Sequence, residues 1–234
     1  MVKQKIIALV DCDSFFVSCE QKKNPEYAGK AVCVLSNNDG CVISRSREAK
    51  NMGIKMGEPY FMAKKNYPKA IYLSADHDYY KKVSDSIMSI LKNFSPYAEI
   101  YSIDEAFVDL TGLTRLYKKN YYKLAVYLRE KILQEVNIPV SIGVSSTKTL
   151  AKLASDKAKN ISGGVYLIGK RKIKTELKET KIEEIWGIGK RLSKNLRKYG
   201  VLTAEELVKK SDIWLDKVIG IHGLEMKHEL LGKM

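Results

Sequence analysis

Two adjacent acids, Asp104-Glu105, sit between two short apolar runs, Ala98–Tyr101 and Ala106–Leu110. Carboxylates side by side repel each other unless a cation holds them. A lone Asp-Glu pair reads more readily as a solvated hairpin turn than as a metal site, so the rest of the chain decides. A second acidic spot, Asp11-Cys12-Asp13, closes the apolar run Ile6–Val10. Mg²⁺ takes oxygen ligands, usually a few carboxylates completed by substrate phosphates. Two such ions about 3.5–4 Å apart activate an attacking oxygen and stabilise a leaving one. Asp11, Asp104 and Glu105 suit that chemistry if the fold brings them together. Asp13 is a fourth acid nearby and reads as a helix cap or a surface charge.

A phosphate substrate needs positive charge opposite such metals. Arg47 and Lys50 offer it, spaced i and i+3 at a predicted helix start where backbone N–H groups add to the attraction. Lys157 and Lys159, at the end of a later helix, are a second candidate. The turn Gly187-Ile188-Gly189 precedes an amphipathic helix and fits a helix-hairpin-helix. Its glycines let the backbone approach a phosphate without regard to base sequence. Val218–Gly223 resembles a weaker second copy. His222 and His228 are not on one helical face and suggest no metal. Cys12, Cys19, Cys33 and Cys41 form no Cys-x-x-Cys pair and have no His nearby, so they read as reduced thiols.

The elements that must position these groups follow from periodicity. Ile6–Val10 reads as a strand, and Ser14 as the cap of a helix from Phe15 to Lys22. Ala31–Leu35, Cys41–Ser44 and Ala70–Leu73 read as strands, with helices at Arg47–Met52 and Tyr60–Asn66 between them. Tyr79, Val83, Ile87, Ile90, Leu91 and Phe94 mark an amphipathic helix over 76–94. Tyr121, Leu124, Ala125, Leu128, Ile132 and Val136 mark another. Val140–Val144 is a strand, 146–159 a helix and Val165–Ile168 a last strand. With residues 31–74 set aside as an insertion, the order is strand, helix, strand, strand, helix, strand. That is a split βαβ, ferredoxin-like arrangement. It places the first strand antiparallel to the third, with Asp11 beside Asp104 and Glu105. Beyond residue 170 the chain turns helical and Lys-rich, and reads as a separate small domain with helices near Arg191–Tyr199 and Thr203–Lys209.

The 234 residues carry 41 Lys and Arg against 27 acids, a net charge of +14. Such a balance points to a polyanion, nucleic acid first. The bases are spread through the chain, which favours a folded surface over an anchoring tail. No apolar run reaches the length of a membrane span, and the short N-terminal apolar stretch ends in an acid, unlike a signal peptide.

Together, several stretches resemble the Y-family translesion DNA polymerases, closest to the bacterial SOS-response UmuC-type branch. They are Val10–Phe16, Val34–Ile43, Glu48-Ala49-Lys50 with Gly53–Gly57, Tyr101–Phe107, Thr147–Ala154 and Trp186–Gly189. They stand in the family's order and span nearly the whole chain. The resemblance implies an α+β molecule: a catalytic palm (1–30 and 75–169), α/β fingers (31–74) and an all-α helix-hairpin-helix thumb (170–234). It implies two Mg²⁺ ions on Asp11, Asp104 and Glu105, with the Cys12 carbonyl assisting. It places Phe16 as a steric gate against a ribose 2′-OH. The backbone N–H groups of Phe15 and Phe16, with Ser44, Arg47, Lys50 and Lys159, fall at triphosphate positions; many relatives carry Tyr where Arg47 stands. Gly187, Ile188, Gly189 and Lys190 fall at the DNA contact of the thumb. The family carries a further little-finger domain after the thumb, and this sequence stops at Met234. Contacts to a sliding clamp or to SOS accessory proteins would then go with a missing C-terminal region. The implied activity is template-directed transfer of a dNTP to a primer 3′-OH by a cytoplasmic, monomeric core acting on primer-template DNA. Two alternatives remain open: a non-catalytic DNA-binding module, and a nucleotide cyclase built on a similar sheet.

Overall fold

The computed structural model describes residues 5–233. Strand β1 (Ile7–Cys12) is buried along its whole length, as an unbroken apolar run requires. A tight turn leads into helix α1 (Phe15–Lys23). Ser14 stands at the N-cap of α1, but its hydroxyl makes no capping bond. The expectation of a serine cap fails because Ser14 is left-handed (φ 46, ψ 47), whereas a capping side chain needs extended backbone.

Strands β2 (Val32–Leu35) and β3 (Val42–Arg45), helices α2 (Arg47–Asn51) and α3 (Tyr60–Asn66), and strand β4 (Ile71–Ser74) follow. Their three strands form a small sheet in the order β3-β2-β4. Alternation along β2 splits its side chains between two cores. Val32 and Val34 join the main core of the molecule, while Cys33 and Leu35 pack with Val42, Ala49, Ile54, Ala63 and Ala70.

Helix α4 (His77–Phe94) is capped by Asp76, whose carboxylate accepts from the Tyr79 N–H at 3.1 Å. Its buried face runs Tyr80, Val83, Ile87, Met88, Ile90, Leu91 and Phe94. Strands β5 (Ala98–Ile100) and β6 (Glu105–Asp109) come next, then a short helix α5 (Leu113–Tyr117) that sequence periodicity did not signal. Helix α6 (Tyr121–Val136), strand β7 (Val140–Ser145), helix α7 (Lys148–Ala158) and strand β8 (Val165–Leu167) complete the larger sheet. Its order is β5-β6-β1-β7-β8. The first four positions are the ferredoxin-like order, and β1 is antiparallel to both neighbours. β8 extends the sheet, parallel to β7.

The period-2 alternation of β1 decides what faces what. Ala8, Val10 and Cys12 share a core with the apolar faces of α4 and α6. Ile7 and Leu9 turn the other way and pack with Phe107 and Ala151 of α7. Asp11 is therefore on the α7 side of the sheet. α7 comes very close there. A Cβ on Gly143 of β7 would lie 2.0 Å from the Ser155 nitrogen and 2.2 Å from the Ala151 carbonyl oxygen. Glycine at 143 is what lets the helix rest on bare strand backbone.

The remaining helices are α8 (Ile173–Glu179), α9 (Lys190–Lys198), α10 (Ala204–Val208), α11 (Asp212–Ile219) and α12 (Ile221–Leu230). Leu196, Val201, Leu207, Leu215 and Leu230 form their apolar centre, and it takes in Leu150, Leu153 and Ala154 from α7. α7 is thus packed by the sheet on one side and the C-terminal helices on the other. Glu229 of α12 accepts from the Thr149 N–H (2.8 Å) and from the Thr149 hydroxyl, capping α7 from 80 residues away. Among the described residues, no helix is long and apolar enough to cross a membrane.

Candidate active site

β1 and β6 pair in a register that sets Asp11 opposite Glu105. Both belong to the α7 side of the sheet, and α7 with its C-cap residue presents two lysines to them. Lys159 Nζ lies 2.7 Å from Asp11 Oδ2, and Lys152 Nζ lies 3.1 Å from the same oxygen. Lys152 also donates to Glu105, so one ammonium bridges the two acids. Asp156 stands between the lysines, 3.6 Å from Lys152 and 3.4 Å from Lys159. Lys152 and Lys159 are seven residues apart, two turns, which puts both on one side of the helix.

Charge follows this geometry. Asp11 is only 4% exposed. Burial alone would raise its pKa, but its hydrogen bond with Glu105 and the ammonium groups of Lys159 and Lys152 outweigh that and hold it below the usual carboxylate range. Glu105 moves the other way. Burial first, then the bond to Asp11, push it up to about 7 against the pull of Lys152. Lys152 and Lys159 lose some charge preference to burial, but the carboxylates raise both above the ordinary lysine value. The two ammonium groups thus offset part of the cost of burying Asp11 beside Glu105.

Asp104 is next to this pair but does not join it. Its carboxylate accepts from the Ser102 hydroxyl at 2.7 Å, and its carbonyl accepts from the Cys12 N–H at 3.0 Å. Ser102 also receives the Glu105 N–H at 3.0 Å, which fixes the 102–105 turn against β1. As the side chains stand, two of the three acids converge. Asp13 is neither a helix cap nor a free surface charge. The Ser141 hydroxyl of β7 donates to it at 2.7 Å, and burial raises its pKa despite that bond. Burial, aided by the negative Asp104 and Asp11, also pushes the Cys12 thiol well above its normal value.

The other sequence-predicted residues stand on several separate elements. The Ser44 hydroxyl of β3 accepts from the Val17 N–H (3.4 Å) and donates to the Ser14 carbonyl (3.3 Å), tying the small sheet to the start of α1. Phe15 and Phe16 are the first two residues of α1, whose N–H groups have no carbonyl within the helix to bond. Phe15 is buried, and the half-buried Phe16 ring stacks on Tyr80. Arg47 and Lys50 are exposed on α2, and neither forms an ion pair with another described residue. Lys157 does not reach the acids: it is paired with Glu176. Sequence reasoning missed Lys152. The signal was present, since Lys152 and Lys159 share one face of a predicted helix, but only the sheet register shows what that face meets.

Gly187 is left-handed (φ 90), and Ile188 is buried in the C-terminal core. Gly189 caps α9, which carries Lys190, Arg191, Lys194, Arg197 and Lys198 and no acid. Gly189, Arg191, Lys194, Asn195 and Lys198 line a depression of about 670 Å³. Trp186 holds this hairpin to the larger sheet, edge-on to Tyr101 at 5.3 Å and beside Phe107 at 5.7 Å.

Residues 10–156 match the model of the impB/mucB/samB family. The chain belongs to that family. It is 39% identical over 212 residues to Protein UmuC of Salmonella typhimurium, covering 88% of this chain and 50% of that protein. It is 36% identical over 223 residues to DNA polymerase IV of Saccharolobus solfataricus, covering 93% of this chain and 62% of that protein. Among solved structures it superposes on the insertion ternary complex of Dbh DNA polymerase with a TM-score of 0.85 and 31% identity, over 97% of this chain and 67% of the other. The crystal structure of DinB from Sulfolobus solfataricus gives a TM-score of 0.83 at 31% identity, over 97% and 66%. The chain spans about half the length of the UmuC-type relatives it matches. The fold expected from the resemblance, an α+β Y-family polymerase core, is the fold of these structures.

Whether the acids suit a divalent metal can be judged from their own chemistry. Asp11 and Glu105 are hard oxygen donors that already enclose one cation, the Lys152 ammonium. Burial first, and then the neighbouring Asp11, disfavour the charged form of Glu105. These residues fit a hard cation in kind. Among the described residues no set of three His, Cys, Asp or Glu side chains is arranged around one point. The Asp104 carboxylate stays on the Ser102 hydroxyl.

Proposed function

We propose that this chain is the catalytic core of a translesion DNA polymerase, transferring a nucleotide from a dNTP to a primer 3′-OH. The observation that carries the reading is the pairing of Asp11 with Glu105 at a sheet end walled by Lys152 and Lys159. In this reading residues 1–30 and 75–169 are the palm, 31–74 the fingers and 170–234 the thumb. Asp11, Asp104 and Glu105, with the Cys12 carbonyl, would hold two Mg²⁺ ions, which when bound neutralise the phosphates and activate the attacking oxygen.

The chain's own residues supply the rest. The phosphates of a dNTP would meet the Phe15 and Phe16 N–H groups, Ser44, Arg47, Lys50 and Lys159. An anion at the start of α1 is favoured by the helix dipole and by its free donors. Lys159, now held on Asp11, is placed to follow negative charge from the carboxylate to the phosphate. Phe16 would close the sugar pocket against a 2′-OH. Gly187, Ile188, Gly189 and Lys190 would hold the duplex backbone, a contact without sequence information. The site of action is with DNA, in the cytoplasm. On this reading a sliding clamp or SOS accessory protein would be met by the part of the relatives' length that this chain does not span.

Primer extension with Mg²⁺ tests the proposal. The chain should extend a primed template, and Asp11→Asn or Glu105→Gln should lower the rate by about a thousandfold or more, the scale of lost electrostatic stabilisation at a reacting phosphoryl group. Extension by both variants at the wild-type rate would remove the site. DNA binding without extension at any protein concentration would leave a non-catalytic binding module. Turnover of a triphosphate without DNA would point to a cyclase.

A further inference from the structure

The Phe16 ring does not stand alone. It stacks on Tyr80 of α4 with centroids 4.8 Å apart and planes 20° from parallel. His77, one turn earlier on α4, meets its edge at 5.8 Å. Tyr80 has no exposed surface at all. Its hydroxyl donates to Glu20 Oε1 at 2.7 Å, and Glu20, on α1, is itself 8% exposed. A carboxylate so buried costs free energy unless something binds it. Neither the stacking nor the carboxylate is explained by the metal site, which lies on the other side of the sheet.

We propose that Tyr80 and Glu20 are positioning residues for sugar selection: they fix the face and height of the Phe16 ring. This rests on the reading of Phe16 as the sugar gate. α1 and α4 are separate elements, and Phe16 and Glu20 are one helical turn apart on α1. The Tyr80 ring backs the gate while its hydroxyl ties the same ring to the turn below it. The ring therefore cannot slide along α1 without breaking the bond to Glu20. It cannot tilt away from the sugar without meeting Tyr80. A gate that discriminates one hydroxyl needs such backing, because a ring free to yield by an ångström would admit the larger sugar.

The test is the ratio of kcat/KM for a dNTP over the matching ribonucleotide, measured on primed DNA with the full chain. Phe16→Ala should lower the ratio strongly. Tyr80→Leu, which keeps bulk but removes the stack, should lower it about tenfold, the scale on which a pocket loses discrimination over a small group. The change should come through a lower ribonucleotide KM, with dNTP turnover nearly unchanged. Glu20→Leu, which leaves the Tyr80 hydroxyl without its acceptor, should give a smaller loss, and Glu20→Gln, whose amide oxygen still accepts, should restore the wild-type ratio. Melting temperatures separate selection from folding; should Tyr80→Leu not fold, the two Glu20 variants decide alone. If Phe16→Ala relaxes selection while Tyr80→Leu and Glu20→Leu leave the ratio at the wild-type value, the positioning role is wrong and the gate stands. If Phe16→Ala itself changes nothing, or the wild-type chain adds no nucleotide, the gate reading fails and this proposal with it.

Discussion

Asp11 and Glu105 show how much one residue's setting depends on its neighbour. Asp11 sits below the ordinary carboxylate range and Glu105 is pushed up to about 7, although both touch Lys152. Burial is the chief cause that raises Glu105, and of the two acids only Asp11 also meets Lys159, which touches Asp156 as well. Lys152→Ala should therefore destabilise the metal-free chain, by about 3 kcal/mol, because it leaves two largely buried acids sharing less positive charge. Thermal melting in chelator measures it, and a variant as stable as wild type would show that Lys152 is not the counter-ion. Ser102→Ala should act differently. It releases Asp104 and the 102–105 turn, at a cost near 1 kcal/mol for the lost hydrogen bonds. Denaturant titration of Ser102→Ala against wild type reads this cost. The acids themselves were legible in the sequence, because charge inside apolar strand sequence is conspicuous. Their partners were not. Lys152 is 141 residues from Asp11, and no local pattern connects them.

At the scale of elements, α7 carries the most. It meets the sheet through Gly143 with no side chain between. Gly143→Ala should cost more than about 3 kcal/mol, since backbone rather than a flexible side chain must give way. It should also lower extension activity, because Lys152 and Lys159 would be lifted off Asp11. Calorimetry and primer extension on one preparation check both effects together. Glu229→Ala removes a cap supplied from α12 and should cost about 1 kcal/mol without changing the sheet; chemical denaturation against wild type reads it. The helices α4, α6 and α7 were readable from their apolar spacing, and the strands from their runs. α5 was not: it is five residues long, between left-handed Gly112 and Lys118, too short for a period to show. Ser14 misled for a related reason. Residue type suggested a cap, and the turn after β1 imposed a backbone that forbids one.

For the molecule as a whole, charge is the property the sequence states most directly. With a net charge of +14, any binding of this chain to DNA should weaken steeply with salt. Replacing Lys190 and Arg191 of α9 by Glu should lower affinity for all sequences alike and reduce the salt slope by roughly one unit for each phosphate no longer neutralised. Fluorescence anisotropy at several salt concentrations measures both, and an unchanged slope would take α9 off the DNA. What composition does not show is how unevenly the molecule is held together. The main core draws on α1, α4, α6 and both sheets, whereas the core between β2, β3, α2 and α3 contains seven buried residues, none larger than Leu or Ile. That difference has a consequence in time rather than in space. In deuterated water the amides of β3 and β4, at the edges of the small sheet, should exchange through openings well below global unfolding. Those of β1 and β7 should wait for the whole chain to open. β2, anchored by Val32 and Val34 in the main core, should exchange with the slower group, so the line between fast and slow protons should run through one small sheet. Arg47 and Lys50 ride on the side that opens first.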